Sequence, residues 1–428
     1  MRVPYVVGRW VRGRGHYGRE RLIDYLLHGP DSAVWLVGTR RMGKTSMLRQ
    51  LELLTGASGS VLVPVVWDLQ GCHSPAELSV ELSESLVDVA ERLRAGGIQV
   101  EEYLDQDALV VLRSLSRRLD EQGKQLLLLI DEAEALLNTA ALDPAWVGRL
   151  RRALQDPRVR TVLTSTKLLA RLNELTADWT TSPFLFGFSM VVLPRLEESA
   201  ARCLVRQLQS DAPVDAGDGE VDDVLIHTNG QPYLIQLLCQ RIFVGEAGGP
   251  GRLRPITEDD LVVDHVLSGL FAIDYQHLTR SERRLFLTVT DLTVAKESEL
   301  LVRLNDMAPH RLRTFLYSLE RAGMLRRVFD RWAVGNEFLR RWATEHYAAL
   351  VQQLPGDDGD PLQERVVESG RRHEIKRLLA EIARLEQRLA EIEALLGATN
   401  ASDALDLLEE MDRVRREIAR LRKELAEI

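Results

Sequence analysis

Cysteine is almost missing from this 428-residue chain. Cys72, Cys203 and Cys239 are far apart and odd in number, which leaves neither a disulfide framework nor paired zinc-ligand spacing. The Cys72–His73 neighbours lack a second ligand pair, so they do not make a tetrahedral site, and the three thiols read as small buried apolar residues. Long apolar runs are missing too: stretches such as 61–67 and 126–130 fall far short of the roughly 18 residues of a membrane span. The opening MRVPYVVGRW holds no apolar stretch of secretory length, so a soluble, cytoplasmic protein without a membrane partner is expected. Positive charge is in deficit, with 55 Lys and Arg against 64 Asp and Glu for a net −9. That balance argues against a chain that coats nucleic acid over its whole surface, but not against a local basic patch. Among the basic residues lysine is rare: Lys44, Lys124, Lys167, Lys296, Lys376 and Lys423 are all there are, so a lysine inside a motif carries weight.

What is present is ordinary globular material, 45% apolar and 28% charged, in a chain longer than the roughly 250–300 residues one core can serve. Apolar runs at 33–37, 61–69, 125–131, 159–166 and 190–193 alternate with helical periodicity at 75–95, 107–121 and 143–155. Alternation of this kind predicts a parallel sheet covered by helices on both faces over 1–195. Past Pro194 strand signals stop, and short helical patterns at 199–210, 220–227, 232–244 and 257–268 predict a helical lid over 196–268. Segments 280–290, 297–304 and 309–324, followed by LRRVFDRWAVG, give three helices and a hairpin, a winged helix-turn-helix pattern over 269–350. An acidic linker at 351–362 then leads to 363–428. There Ile375, Leu378, Ile382, Leu385, Leu389, Ile392 and Leu396, and again Met411, Val414, Ile418, Leu421, Leu425 and Ile428, repeat every three or four residues, the signature of an antiparallel coiled-coil hairpin.

Chemistry concentrates at GTRRMGKT, 38–45, which fits G-x-x-x-x-G-K-[ST] in full and lies between a predicted strand and a predicted helix. Gly38 and Gly43 let backbone N–H groups approach phosphate oxygens, and the following helix N-terminus adds its dipole. Lys44 would reach the β- and γ-phosphates, and the Thr45 hydroxyl would bind Mg²⁺. LLLLIDE sets Asp131 and Glu132 at the C-terminal end of a strand, where ligands of open α/β sheets gather. Asp131 can hold the Mg²⁺ through water, and Glu132 can orient or deprotonate an attacking water. At the end of the next strand, Thr166 reads as a γ-phosphate contact and equally as a helix cap.

Together these residues resemble the STAND branch of AAA+-related ATPases, and the resemblance spans residues 4–345. Tyr17, Gly18, Arg19 and Glu20 match its aromatic-GRE box, which in that family lies beside the adenine. Arg40, Arg41, Gly43, Lys44, Thr45 and Ser46 match its RRxGKTS phosphate loop, with Thr39 and Met42 expected at the nucleotide in the same loop, and Asp131 with Glu132 match its Walker B pair. Gly230, Gln231 and Pro232 match its GxP lid signature; Pro232 would then pack near adenine or ribose, and it also reads as a proline of a helix first turn. The chain departs from many AAA+ proteins in offering no recognisable arginine finger. The resemblance implies an α/β P-loop NTPase (AAA+/STAND-like) core with a parallel sheet, helical lid and winged helix, to which the heptad spacing adds the C-terminal helical coiled-coil hairpin. It further implies ATP or ADP with Mg²⁺ as cofactors, slow hydrolysis, and a switch in signalling or defence that forms a homo-oligomer on activation.

A protein effector or sensor partner is expected on the coiled coil. DNA is the alternative partner, since residues 278–346 hold thirteen Arg and Lys against nine Asp and Glu, a local +4 with Arg311 and Arg313 near the start of the third helix. A winged helix can grip a duplex in an origin-recognition-like ATPase; it can equally fold back on the ATPase as a regulatory element, the reading preferred here. A non-catalytic, nucleotide-bound scaffold is the third possibility.

Overall fold

The computed structural model describes residues 3–57, 59–175, 183–245, 251–354, 382, 384–390, 392, 411 and 413–421. By its contacts the chain divides into one unit, Met1–Trp342, and a second, Ala343–Ile428.

In the first unit five parallel strands, β1 (Ala33–Val37), β2 (Leu62–Asp68), β3 (Gln125–Asp131), β4 (Val159–Ser165) and β5 (Ser189–Val192), lie in the order β2-β3-β4-β1-β5. β4 therefore separates the two strands that carry the phosphate-loop and carboxylate motifs. The central strands read as unbroken apolar runs because both their faces are covered. Alternation then sorts the run at 126–130: Leu126, Leu128 and Ile130 enter a core with Trp35, Val63 and Trp67, while Leu127 and Leu129 enter one with Val34, Leu36 and Val162. Helices α3 (Pro75–Asp88), α4 (Ala90–Ala95), α5 (Ala108–Asp120), α6 (Leu136–Leu142), α7 (Pro144–Leu154) and α8 (Arg171–Leu175) serve the first core. Helices α1 (Glu20–His28) and α2 (Lys44–Thr55) cover the second. Their starts follow local chemistry, with Ser74, Asp107 and Asp143 each accepting a backbone N–H as N-cap and Pro75 and Pro144 at the first turn.

The following helices are α9 (Glu198–Val205), α10 (Asp218–Thr228) and α11 (Pro232–Ile242). Strand structure does not end at Pro194, however, because β6 (Phe243–Val244) pairs with β7 (Arg252–Leu253). The helical pattern expected at 257–268 resolves into a short turn at 258–261 and the start of α12 (His265–Gln276), which runs across the expected 268/269 boundary. Asp260 explains the break: it is 5% exposed, is gripped by Arg254 through two 2.7 Å bonds, and accepts from the Thr257 N–H at 2.8 Å. Beyond lie α13 (Arg280–Leu292), β8 (Val294–Lys296), α14 (Glu297–Arg303), α15 (Pro309–Arg321), β9 (Leu325–Val328), β10 (Arg331–Val334) and α16 (Glu337–Glu345). The expected hairpin is part of a three-stranded antiparallel sheet, β8-β10-β9. Tyr275 joins α12 to this region, with ring centroids 6.0 Å from Phe286 and 6.1 Å from Trp342.

The second unit contains α17 (Tyr347–Gln352). Most of the expected linker and coiled-coil hairpin lies outside the described residues. In the part described, Ile382, Ile418 and Leu421 are buried with Leu385, Leu389 and Val414 against them, and each of these residues is helical. No helix among the described residues is long and apolar enough to cross a membrane.

The Asp260 clasp generates a stability prediction. Arg254 holds the Asp260 carboxyl far below the usual carboxylate range, so its stabilisation is present above the unfolded-state pKa of about 4 and is lost as pH falls below it. Asp260→Asn is expected to lower stability by about 1–2 kcal/mol at pH 7, the low end for such a pair because the Arg254 side chain stays 40% exposed. Urea unfolding should find this gap at pH 7 and a smaller one at pH 3.

Candidate functional site

The loop from β1 to α2 is built by backbone geometry. Gly38 donates its N–H to Ser165 O of the neighbouring strand at 3.1 Å, Arg41 adopts φ 62°, and Gly43 adopts φ 94° immediately before the helix. Non-glycine residues in the left-handed region are uncommon and concentrate where function demands a special backbone. The turn buries Lys44, whose Nζ donates to Gly38 O at 3.0 Å and Thr39 O at 3.3 Å. Its ammonium is thus folded back over the loop that its own helix terminates, where anions are favoured.

Three strands' worth of register then bring the carboxylates into place. Thr45 Oγ1 donates to Asp131 Oδ2 at 2.6 Å. The other oxygen of Asp131 accepts from the Thr164 hydroxyl and, at 3.1 Å, from the Glu132 N–H. Thr164 reaches Asp131 because β4 is inserted beside β3, and this contact was not foreseen from the sequence. Glu132 is left-handed at φ 49°, and burial followed by Glu134 pushes its carboxyl upward. Asp131 and Glu132 thus differ: one is fixed by three donors, while the other is a less readily ionised group beside it.

The GRE-box residues separate in role. Tyr17 is buried and its hydroxyl accepts from the Gln209 N–H at 3.3 Å, while Gly18 has φ 68° and a Cβ there would meet Ala200 Cβ at 2.6 Å. Gly18 is therefore required for the close approach of α9. Arg19 Nη2 donates at 2.8 Å to both Met42 O and Pro194 O, and desolvation lowers its guanidinium to about 10. Glu20 lies exposed in the first turn of α1, where an acid suits the helix dipole. Ser46 accepts from the Val11 N–H at 3.1 Å, and Gln50 Oε1 accepts from the Gly13 N–H at 2.7 Å, tying the N-terminal segment to α2. Met42 is buried, and Arg41 lies over the Tyr233 ring at 5.4 Å while donating to Gly8 O at 3.3 Å.

Thr166 caps the turn at 167–170, accepting from Leu168 N at 3.3 Å, while its own N–H meets Glu134 Oε1 at 2.5 Å. Pro232 opens α11. Before it, Asn229 and Gly230 are left-handed, and a Cβ on Gly230 would sit 2.9 Å from Leu196 O. Asn229 Nδ2 donates to Gly335 O at 2.6 Å.

The region of α12–α15 also touches the loop directly. Arg40 N–H donates to Asp274 Oδ1 at 3.4 Å and Thr39 Oγ1 to Ala322 O at 3.5 Å. Lys167 bridges Glu282 at 3.3 Å and the Ser318 hydroxyl. His277, whose imidazole is lowered by burial and then by Arg40, lies near Lys44 and Glu134 as well. Asp274 and His277 were not singled out from the sequence. The available signal was a single acid in the otherwise apolar and neutral helix HVLSGLFAIDYQ.

Four of the buried side-chain atoms without a hydrogen-bond partner belong to residues named above: Arg40 Nη1, Arg19 Nε, His277 Nδ1 and Glu134 Oε2. Together with Lys44 and the loop N–H groups, the Arg40 guanidinium fits a polyphosphate. The Thr45 hydroxyl and Asp131 carboxylate are hard oxygen donors suited to Mg²⁺.

No protein-family model matches the chain, and no curated protein matches it. Solved structures do. A Walker-type ATPase of Pyrococcus abyssi shares 17% identity over 78% of this chain and 97% of its own, with a TM-score of 0.53. The Aeropyrum pernix ORC2 protein, solved as ADPNP–ADP complexes, shares 15% over 78% and 91%, with a TM-score of 0.42. The ORC1 protein of the same organism, solved in complex with DNA, shares 16% over 79% and 95%, with a TM-score of 0.35. The chain has an α/β P-loop NTPase fold.

Proposed function

We propose that this protein binds and slowly hydrolyses ATP with Mg²⁺, and that nucleotide state controls how α12–α15 pack on the phosphate loop. The observation that carries the reading is the 2.6 Å bond between Thr45 and Asp131 beside buried Lys44. It pre-assembles the hydroxyl, carboxylate and ammonium that a nucleotide phosphate with its metal requires. Mg²⁺, when bound, supplies charge neutralisation across the phosphates. Lys44 and the loop N–H groups position those phosphates, Asp131 orients the metal side, and Glu132 takes the proton of the attacking water at its carboxylate. Burial raises Glu132 toward the range where a general base is effective.

Support for a switch, in the manner of STAND proteins, comes from the loop's own contacts. Thr39 and Arg40 each bond to a residue beyond 264, and Lys167, one residue past Thr166, bonds to Glu282 and Ser318. A change at the phosphates is thereby felt in α12, α13 and α15. We read α13–α15 with β8–β10 as a winged helix, 196–268 as a lid and 363–428 as a helical hairpin for self-association or an effector partner.

A second reading, a DNA-associated ATPase of the origin-recognition kind, is favoured by one surface. Arg311, Arg313, Thr314 and Tyr317 are all exposed on α15, although Arg313 already pairs with Glu297 at 2.6 Å.

Lys44→Ala is expected to weaken ATP binding at least about 100-fold while thermal unfolding stays cooperative, as read by fluorescent-nucleotide titration. Glu132→Gln should keep that affinity and lose at least about 100-fold in turnover, measured by phosphate release; wild-type turnover would remove Glu132 from the chemistry. Light scattering with ADP and with a non-hydrolysable ATP analogue should give different masses for the switch. Arg311→Ala with Arg313→Ala should leave duplex binding weak and unchanged at physiological salt; tight, salt-sensitive binding lost in that double variant selects the DNA reading instead.

A further inference from the structure

The loop that would hold phosphates already faces an anion. Asp274, in the last turn of α12, accepts from the Arg40 N–H at 3.4 Å, and the two cations that act on it are Lys44 and Arg40. These are a backbone donor and the side chains of the phosphate motif itself, contacted from 234 residues away in sequence. Asp274 is half-buried at this contact. What remains open beside it is a cavity of about 20 Å³ lined by Thr39, Met42, Arg195, Asn229 and Phe271 among others, room for about one water.

Two anions cannot share that place at ordinary cost. A polyphosphate brought within a few ångströms of an ionised, half-buried carboxylate meets repulsion. The loop's cations can neutralise one or the other. We propose that Asp274 is an internal phosphate surrogate, a carboxylate that occupies the phosphate loop in competition with nucleotide phosphates, so that ATP entry drives α12 off the loop. The inference rests on the nucleotide-binding reading above and names the residue through which binding becomes movement.

The consequence propagates by packing. Tyr275, the next residue, is buried against Phe286 of α13 and Trp342 of α16, so displacement of α12 carries those helices with it. Thr39–Ala322 ties the end of α15 to the same loop and is broken by the same movement. The closed arrangement is also poised to open. Burial pushes the Asp274 carboxyl up to about 6 against the pull of the Arg40 N–H, Lys44 and Arg40, so at neutral pH it is ionised in a place that disfavours its charge.

Affinity and movement are measured on the full chain. ATP, ADP and adenosine are titrated by calorimetry into wild type, Asp274→Ala and Lys44→Ala, and hydrogen–deuterium exchange of residues 265–276 is followed in wild type with and without ATP. Asp274→Ala is expected to bind ATP and ADP at least about tenfold more tightly than wild type, with adenosine unchanged, because only the phosphates compete with the carboxylate. In wild type, ATP should raise exchange across 265–276 and adenosine should not, a readout independent of whether the variant folds. Lys44-dependent ATP binding by wild type, with no tightening in Asp274→Ala or no rise in exchange, overturns the surrogate and leaves the nucleotide reading standing. Failure of wild type and Asp274→Ala alike to bind ATP removes that reading and the surrogate together.

Discussion

Burial of the Lys44 ammonium is the constraint around which the first unit is arranged. A cation removed from water needs carbonyl dipoles and negative charge within reach. Gly38 and Thr39 supply the dipoles, while Glu132 and Asp274 both lie close enough to feel its charge. The loop can hold this geometry because Gly43 and Arg41 accept left-handed backbone and because β1 is fixed between β4 and β5. A concentrated positive charge at a helix start, faced by acids from two separate elements, is suited to exchanging one anionic partner for another.

That exchange would be local if the acids belonged to one element, and they do not. Asp131 ends β3, is bonded by Thr164 of β4 and by Thr45 of α2, and so locks three elements of the sheet layer into one register. Asp274 comes from α12, after α9–α11 in the chain. Glu134 accepts from Thr166, and Lys167 next to it reaches Glu282 and Ser318. Polar contacts of this sort are modest singly, but they converge on one loop. A change in its charge therefore acts on several of them at once.

The glycines of the two family-like motifs serve this convergence through close approach. Gly18 lets α9 come against the N-terminal segment, and Gly230 lets the α10–α11 turn lie on the Leu196 carbonyl. Both adopt positive φ, and at both a side chain would collide. Arg19, two residues after Tyr17, spends its guanidinium on Met42 O and Pro194 O; it braces the loop from behind.

Local spacing carried much of this into the sequence. The glycine–lysine–threonine pattern, the apolar runs of β1 to β5 and the helix starts near 75, 107 and 143 depend on residues close along the chain, so periodicity and motif placed them within a residue or two. The break before α12 and the third strand β8 were not legible. The first depends on how Asp260 finds Arg254, and the second on the pairing of Val294–Lys296 with β10. Thr166 was ambiguous for the same reason, since a hydroxyl at a strand end can cap or contact a ligand until its neighbours are known. What the sequence determined by itself was that a G-x-x-x-x-G-K-[ST] loop and a carboxylate pair lie at the ends of two strands. Which of 64 acids lies against that loop, and that Asp274 is one that faces Lys44 and Arg40, only tertiary packing decided, because proximity across 234 residues leaves no local trace in composition or spacing.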